Sequence, residues 1–358
     1  MPQTIPEVLK AFAAGEIIVV TDDEDREGEG DLIVAASLCT PEKMAFIVRH
    51  TSGIVCAPLT GDAARRLRLD PMVAHNDSAH STAFTVSIDY KPGMTTGISA
   101  DERTATCRAL ANPNAGAADF ARPGHIFPLI AKDGGVLFRA GHTEAAVDFC
   151  TLAGLPPVGV ISELMNDDGT VMKGEQVVRF AALHGLKHVT IADLIAYRQA
   201  REKLIERVSS FTCDSPIGPL QGYAYCSPFD PVYHVAFVYN GVGDGKNVLT
   251  RFHKPNIIHD LVHGSKRVHA ALEHFRKEGR GVLVYLRDGA AGVPVTPIDE
   301  AVSAEDHRRR QWREVGVGAQ ILRDLGISSI RHLTSTTHDY KGLSGFGIEI
   351  IGKEPFDG

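Results

Sequence analysis

The sequence predicts a two-domain α/β (α+β) protein, and three observations carry that prediction. Its 358 residues are enough for two cores of ordinary size. Short apolar runs of strand length alternate with helices that carry clear start and stop signals. A charged stretch over residues 192–207 then breaks the pattern, and a second set of strands and helices follows it.

The elements follow in order. Thr4-Ile5-Pro6-Glu7 is a capping box with proline in the first turn, so a helix starts there and Gly15 closes it. Residues 17–20 form a short buried strand, and Thr40-Pro41-Glu42 opens a second helix that reaches Val48. Residues 84–88 alternate in character as a strand does, and residues 143–150 read as a helix beginning where His142 sits. Residues 192–207 form a charged helix leading out of the first domain. The second unit starts near Val208 and Phe211. It holds strands at 235–239 and 281–286 and helices at about 261–277 and 317–325. The domains therefore span residues 1–203 and 208–358.

Composition excludes several classes of function. A net charge of −7 argues against a general nucleic-acid or membrane-surface binder. No apolar run reaches the length of a membrane span, and the start of the chain lacks a basic-then-apolar signal pattern. The six cysteines are scattered without a Cys-x-x-Cys pair, which fits reduced thiols and a cytoplasmic location.

The most informative segment is DDEDREGEGD, residues 22–31, with seven carboxylates and one arginine. It lies between the strand at 17–20 and the apolar run Leu32-Ile33-Val34, so it must sit against a packed core. Gly28 and Gly30 let the backbone turn and bring the carboxylates together. Clustered acids repel unless a cation neutralises them, and hard oxygen ligands suit Mg²⁺ or Mn²⁺ better than zinc. The plainer alternative is a polar surface loop. Within the loop, Asp22, Asp23 and Asp25 read as outer members and not as ligands. Histidine-bearing turns follow at Arg122-Pro123-Gly124-His125 and Arg139-Ala140-Gly141-His142-Thr143-Glu144, and Glu163 ends an apolar strand. His125 alone reads more readily as a packed or turn-stabilising histidine, and His142 can be read as the residue before a helix capped by Thr143. A buried Glu163 is costly unless paired or liganded. Cys56 reads as a small core residue near the site. Thr95 and Thr96 fit either a substrate contact or an ordinary turn.

The ordered set DREGEGD, SGIVC, TTGISADER, RPGHIFPL, AGHTEAAVD and ELMNDDGT resembles 3,4-dihydroxy-2-butanone 4-phosphate synthase over roughly residues 5–200. The resemblance implies conversion of D-ribulose 5-phosphate to L-3,4-dihydroxy-2-butanone 4-phosphate and formate in riboflavin biosynthesis. It implies about two Mg²⁺ or Mn²⁺ ions per site, with Glu27 and His142 as the protein ligands. Arg26, Glu27 and Asp31 then contact the sugar, Asp31 also moves protons, and Arg139, Ala140, Gly141, His142 and Thr143 hold substrate, with Arg139 and Thr143 on the phosphate. His125 and Glu163 are implied as acid–base residues, Glu163 touching substrate as well. A homodimer is implied too, with the residue corresponding to His125 supplied by the partner.

From Phe211 onward the chain resembles GTP cyclohydrolase II, through residues 212–218, Arg251-Phe252-His253, residues 278–281 and residues 318–326. That family's zinc cysteines have no counterpart in residues 251–269. Its arginine-rich segment is replaced at 288–293, an aspartate before Arg313 by Gln311, and a Thr-Asn-Asn-Pro turn by Thr334-Ser335-Thr336-Thr337. The second domain therefore reads as catalytically inactive, structural or regulatory, without zinc. The histidines at 259, 263 and 269 could form a substitute zinc site, or simply a solvated helix start. Two other readings remain. One is a bifunctional enzyme with residual GTP cyclohydrolase II activity; the other is a non-catalytic scaffold that binds riboflavin-pathway proteins.

Overall fold

The computed structural model describes residues 3–22, 26–78, 82–203, 205–227, 230–255, 260–261, 264–287, 316–334 and 347–355. The chain divides into two compact units, Met1–Tyr197 and Arg198–Gly358.

In the first unit one mixed sheet is built from β1 (Ile18–Thr21), β2 (Gly30–Ala35), β3 (Cys56–Leu59), β4 (Ile88–Tyr90), β5 (Phe120–Ile130), β6 (Gly159–Glu163) and β7 (Lys187–Thr190). Across the sheet their order is β4-β5-β3-β6-β2-β1-β7. The helices are α1 (Ile5–Ala13), α2 (Pro41–His50), α3 (Gly61–Leu67), α4 (Ala100–Leu110), α5 (His142–Leu152), α6 (Glu175–Leu183) and α7 (Ile191–Arg201). Strand β2 pairs antiparallel with both β1 and β6, and every residue of it is buried. Its side chains alternate between two cores. Leu32 and Val34 join Met44, Ile47, Cys107 and Phe180 from α2, α4 and α6. Ile33 and Ala35 join Phe12, Phe149 and Leu194 from α1, α5 and α7. A strand covered on both faces needs an unbroken apolar run, which Leu32-Ile33-Val34 supplies. Each large side chain so buried contributes about 1.5–3 kcal/mol.

The second unit holds a sheet of order β14-β13-β11-β12-β10-β9-β8. Its strands are β8 (Glu206–Cys213), β9 (Leu220–Ser227), β10 (Asp230–Tyr239), β11 (Val248–His253), β12 (Gly281–Tyr285), β13 (Ser329–Thr334) and β14 (Glu349–Pro355). Strands β8, β9, β10 and β12 are successive antiparallel neighbours, whereas β12, β11, β13 and β14 run parallel. Helix α8 (Lys266–Glu278) packs Leu272 and Phe275 on one core, and α9 (Gly318–Asp324) packs Ile321 and Leu322 on the other. Among the described residues no helix is long and apolar enough to cross a membrane.

Three sequence expectations need correction. The charged helix stops at Arg201, where the Arg198–Glu202 ion pair closes its last turn, and does not continue to residue 207. Beyond it Ile205 is buried in the second unit's core, and β-branched and aromatic Val208, Phe211 and Thr212 favour the strand β8. The helix expected from about residue 261 begins at Lys266, because Gly264 and Ser265 both take positive φ. The strand expected at 84–88 is displaced to Ile88–Tyr90. Phe84 and Thr85 make only isolated bridges, to Leu129 and Pro71. The readings at Asp23, Asp25, His259, His263, 288–293, Gln311, Arg313 and 335–337 lie outside the described residues.

Candidate active site

Asp22 follows the last residue of β1, and the chain returns antiparallel as β2, so Asp22 and Glu29 face each other where this β-hairpin opens. The Asp22 N–H donates to the Glu29 carbonyl at 3.2 Å, and the Glu29 N–H donates to Asp22 Oδ1 at 2.9 Å. Gly28 takes a φ of +66°, a conformation open to glycine. Gly30 is required for another reason: a Cβ there would lie 2.6 Å from Val177 Cγ1 on α6. Lys173 Nζ donates to the Glu27 carbonyl at 2.7 Å and anchors the turn.

The hairpin turn lies at the sheet end where β2 starts and β6 stops, which makes Asp31 and Glu163 cross-strand partners. Helix α5 brings its first residue, His142, to the same place, with Gly141 as its N-cap. The reading of Thr143 as that cap is therefore corrected; Thr143 lies inside the first turn and is buried. His142 Nε2 is 3.1 Å from the Val20 carbonyl. A carbonyl only accepts, so Nε2 carries the proton and Nδ1 presents its lone pair. That lone pair faces Asp31 Oδ1 at 3.6 Å and Glu27 Oε2 at 4.0 Å. Ligand atoms of Asp22, Glu27 and His142 all lie within 4.8 Å of one another, the single such group among the described residues. Asp22, read from sequence as an outer member of the loop, belongs to the cluster because it holds the first position of the hairpin turn.

The electrostatics are unbalanced. Asp31 is 3% exposed, and its Oδ1 has no hydrogen-bond partner. Burial pushes its carboxyl well above the usual range, and the charges of Glu163, Glu27 and Asp22 push it further. Burial likewise holds His142 below the ordinary histidine value, in the neutral form that can ligate a metal. Arg26 is the cluster's own cation, with NH1 2.7 Å from Asp22 Oδ2 and 2.5 Å from Glu27 Oε2. One guanidinium cannot neutralise Asp22, Glu27, Asp31 and Glu163 together. A neutral imidazole lone pair, two clustered carboxylates and an unbonded buried oxygen form a donor set that fits a hard divalent cation.

The remaining residues surround this cluster. Ser52 Oγ donates to Glu163 Oε2 at 2.8 Å, and the Ser52 N–H to the Glu163 carbonyl at 2.9 Å, which fixes the end of β6. Arg139 is buried, with NH1 2.7 Å from Glu144 Oε2 and NH2 2.9 Å from Thr82 Oγ1. A Cβ on Gly141 would fall 2.5 Å from Arg139 NH1, so glycine there lets the Arg139–Glu144 pair cross the helix start, next to Ala140. Cys56 sits in the core with its thiol pushed up by burial and by Glu163. Thr95 donates through its N–H and hydroxyl to Glu102, in the first turn of α4.

His125 is held elsewhere. It lies on β5, and β2, β6, β3 and β5 are successive neighbours. Three strand spacings put it about 14 Å across the sheet from Asp31. The shared strand register nevertheless keeps it at the same sheet end, since Cys56 pairs with both Phe127 and Ile161. Its ring Nδ1 is 2.7 Å from Asp89 Oδ2 and its backbone N–H 2.9 Å from Asp89 Oδ1. Sequence reasoning missed Asp89, which carries no motif signal within Ser87-Ile88-Asp89-Tyr90.

Comparison with known proteins puts this fold among the lyases of riboflavin biosynthesis. Residues 6–197 match the family model described as 3,4-dihydroxy-2-butanone 4-phosphate synthase, and residues 206–355 match that of GTP cyclohydrolase II. The chain belongs to the 3,4-dihydroxy-2-butanone 4-phosphate synthase family and has that synthase activity, with a GTP cyclohydrolase II domain fused behind it. It is 44% identical to the riboflavin biosynthesis protein RibBA of Salinispora arenicola, over 98% of this chain and 88% of that one. It is also 44% identical to the monofunctional riboflavin biosynthesis protein RIBA 2 of Arabidopsis thaliana, over 98% of this chain and 76% of the relative. Among solved structures, RibBX of A. baumannii, described as a two-domain 3,4-dihydroxy-2-butanone 4-phosphate synthase, superposes with a TM-score of 0.83 at 35% identity. That match covers 99% of this chain and 100% of the other. A 3,4-dihydroxy-2-butanone 4-phosphate synthase in complex with two magnesium ions matches at 48% identity and a TM-score of 0.55, over 56% of this chain and 98% of that one.

Proposed function

We propose that residues 1–203 act on D-ribulose 5-phosphate with Mg²⁺ or Mn²⁺, releasing formate, and that residues 208–358 are catalytically inactive. The observation that carries the first part is the unbonded, buried Oδ1 of Asp31 beside the Nδ1 lone pair of His142. Asp22, Glu27 and His142 would hold the ion. A divalent ion bound there supplies electrophilic stabilisation of negative charge on the sugar oxygens. Asp31, with its raised proton affinity, takes a proton from the sugar at Oδ1 and returns it. Arg26 contacts the sugar hydroxyls, and Glu163, braced by Ser52, serves as a second proton-transfer group. Arg139 and Thr143 take the phosphate, where the first N–H groups of α5 add favourable partial charge. His125 completes the acid–base set from the partner of a homodimer, a role that fits its distance from Asp31 within one chain.

The inactivity of the second unit rests on residues 251–269, where the zinc cysteines of its family are absent. A second reading, retained GTP hydrolysis, is favoured by the match of residues 206–355 to the GTP cyclohydrolase II family and by relatives such as the bifunctional RIBA 1 of Arabidopsis thaliana. The test is formate release from the purified full-length protein, supplied separately with ribulose 5-phosphate or GTP, with and without a chelator. Chelator-sensitive formate from the sugar phosphate alone is expected. Formate from GTP would overturn the inactive assignment, and formate from the sugar phosphate that survives exhaustive chelation would remove the metal.

A further inference from the structure

We infer that Arg103 on α4 binds a small oxyanion in the first unit, and that this anion is the formate its reaction forms. The inference rests on the proposed release of formate there. Arg139 and Arg198 are buried too, and each meets a carboxylate, Glu144 at 2.7 Å and Glu202 at 2.6 Å. Arg103 is 7% exposed and pairs with no carboxylate among the described residues. Its NH1 donates to the Gly53 carbonyl at 3.4 Å, the long end of a hydrogen bond, and its Nε has no partner. Asp89 is near enough for its charge to reach Arg103, but both its oxygens are engaged by His125. A guanidinium carries five donors and stays charged, so burying one without an anion is costly. A bound anion removes that cost.

The place of Arg103 in the fold selects the anion. Helix α4 lies on β4, where the Tyr90 N–H donates to Thr106 Oγ1 at 2.9 Å. One turn earlier in the helix, Arg103 reaches Gly53, just ahead of β3. Gly53 follows Ser52, whose hydroxyl and N–H both bond Glu163. The guanidinium thus sits beside the brace of Glu163, at the strand between β6 and β5. Gly53 takes a φ of +77°, and a Cβ there would meet no atom within 4 Å, which leaves room beside it for a small ligand. The reaction handles two anionic groups, the phosphate of the sugar and the carboxylate of the one-carbon product. A guanidinium matches either through paired N–H donors. Arg139 and Thr143 already serve the phosphate in the proposed function, whereas Arg103 adjoins Glu163, a proposed proton-transfer group. Formate is therefore the better match.

An anion of three heavy atoms binds with about millimolar affinity at best. In about 10 mM sodium formate, with ionic strength held by chloride, the first unit of the full-length protein should therefore melt about 3–6 °C higher by calorimetry. Formate should also inhibit formation of the dihydroxybutanone phosphate. Arg103→Gln should abolish the formate shift and raise the formate inhibition constant about 10–100-fold, the loss expected for a charge-assisted pair. The shift produced by inorganic phosphate, which has Arg139, should survive. Arg103→Lys keeps the charge without the planar fork and should fall between wild type and Arg103→Gln; it carries the test if Arg103→Gln folds poorly. Loss of the phosphate shift in Arg103→Gln, with the formate shift kept, would overturn formate as the ligand. No formate shift in the wild type, or equal shifts and equal inhibition in a folded Arg103→Gln, would overturn the anion site and leave Arg103 as a support of the Gly53 turn. Turnover of ribulose 5-phosphate without formate release would instead sink the proposed function, and the calorimetric comparison would still decide whether Arg103 takes an oxyanion.

Discussion

Asp31 sits where a carboxylate costs the fold most: fully buried, flanked by Glu163, Glu27 and Asp22, with one oxygen unbonded. A buried charge without a partner is destabilising, so the site is held against the preference of its own residues. Asp31→Asn removes that repulsion, and in chelator-treated protein it should raise stability by about 1–3 kcal/mol. Differential scanning calorimetry reads this as an upward shift of the first unit's transition, while formate release by the same variant, assayed with the divalent metal restored, falls below detection. An unchanged or lowered transition would mean that Asp31 is neutralised by a contact within the fold. In the second unit His332 offers the complementary test. It is 1% exposed, and burial, with Arg251 and Lys353 nearby, pushes it down to about 4. Between pH 6.5 and 4 the unfolded chain therefore binds a proton that the folded unit refuses. The stabilising contribution is present above pH 6.5 and is lost as pH falls, by roughly 3 kcal/mol in all. His332→Gln should flatten that acid limb, measured as the opening free energy of β13 amides by native-state hydrogen exchange. An equally steep limb in the variant would place the acid sensitivity elsewhere.

At the scale of elements, the site is made by three chain terminations that meet: the end of β1, the end of β6 and the start of α5. The starts of α1 and α2 and the buried run Leu32-Ile33-Val34 were legible in the sequence because caps and apolar periodicity are local signals. The order of the six motifs brought Arg26, Glu27, Asp31, His142 and Glu163 forward by resemblance, and the fold gathers those residues at one sheet end. What the sequence did not disclose depends on register. Asp22 reads as one acid among seven until the hairpin places it opposite Glu29. Asp89 acquires meaning only when the β4–β5 ladder skips residues 122–125. The break after Arg201 was hidden for a related reason, since charge spacing continued the helix while burial of Ile205 ended it. The crossing of β4 and β5 gives a direct test of this dependence on backbone approach. Gly124→Ala places a methyl group 2.1 Å from backbone that cannot rotate away. It should cost about 3 kcal/mol or more and abolish turnover through loss of the His125 geometry, whereas Gly93→Ala, with positive φ but no atom within 4 Å, should cost about 1 kcal/mol and leave kcat unchanged. Chemical denaturation with parallel kinetics compares the two. Equal losses would mean that strain in the backbone, and not the approach of β4, sets the requirement for glycine.

At the scale of the whole molecule, Asp22, Arg26, Glu27, Asp31, Asp89, His125, Arg139, His142 and Glu163 all lie within Met1–Tyr197. Among the described residues, the two cores of that unit draw on its own strands, helices and loops and on the first half of α7, through Ile191 and Leu194. A chain ending at residue 207 keeps α7 whole, and removes no residue of the candidate site. It should therefore fold, bind divalent metal and release formate from ribulose 5-phosphate with a kcat within about threefold of the full-length protein, the small change expected when no reacting contact is lost. Sedimentation of the two forms would show in parallel whether the second unit contributes to assembly. Equal activity with a weaker dimer at low concentration fits a structural second unit. Equal activity and equal assembly would leave that unit without either role, and direct attention to ligands of its own. A fall in kcat of tenfold or more, in a truncated chain that still folds and still dimerises, would show that the second unit acts on the first across their boundary, and the inactive domain would then have to be read as regulatory.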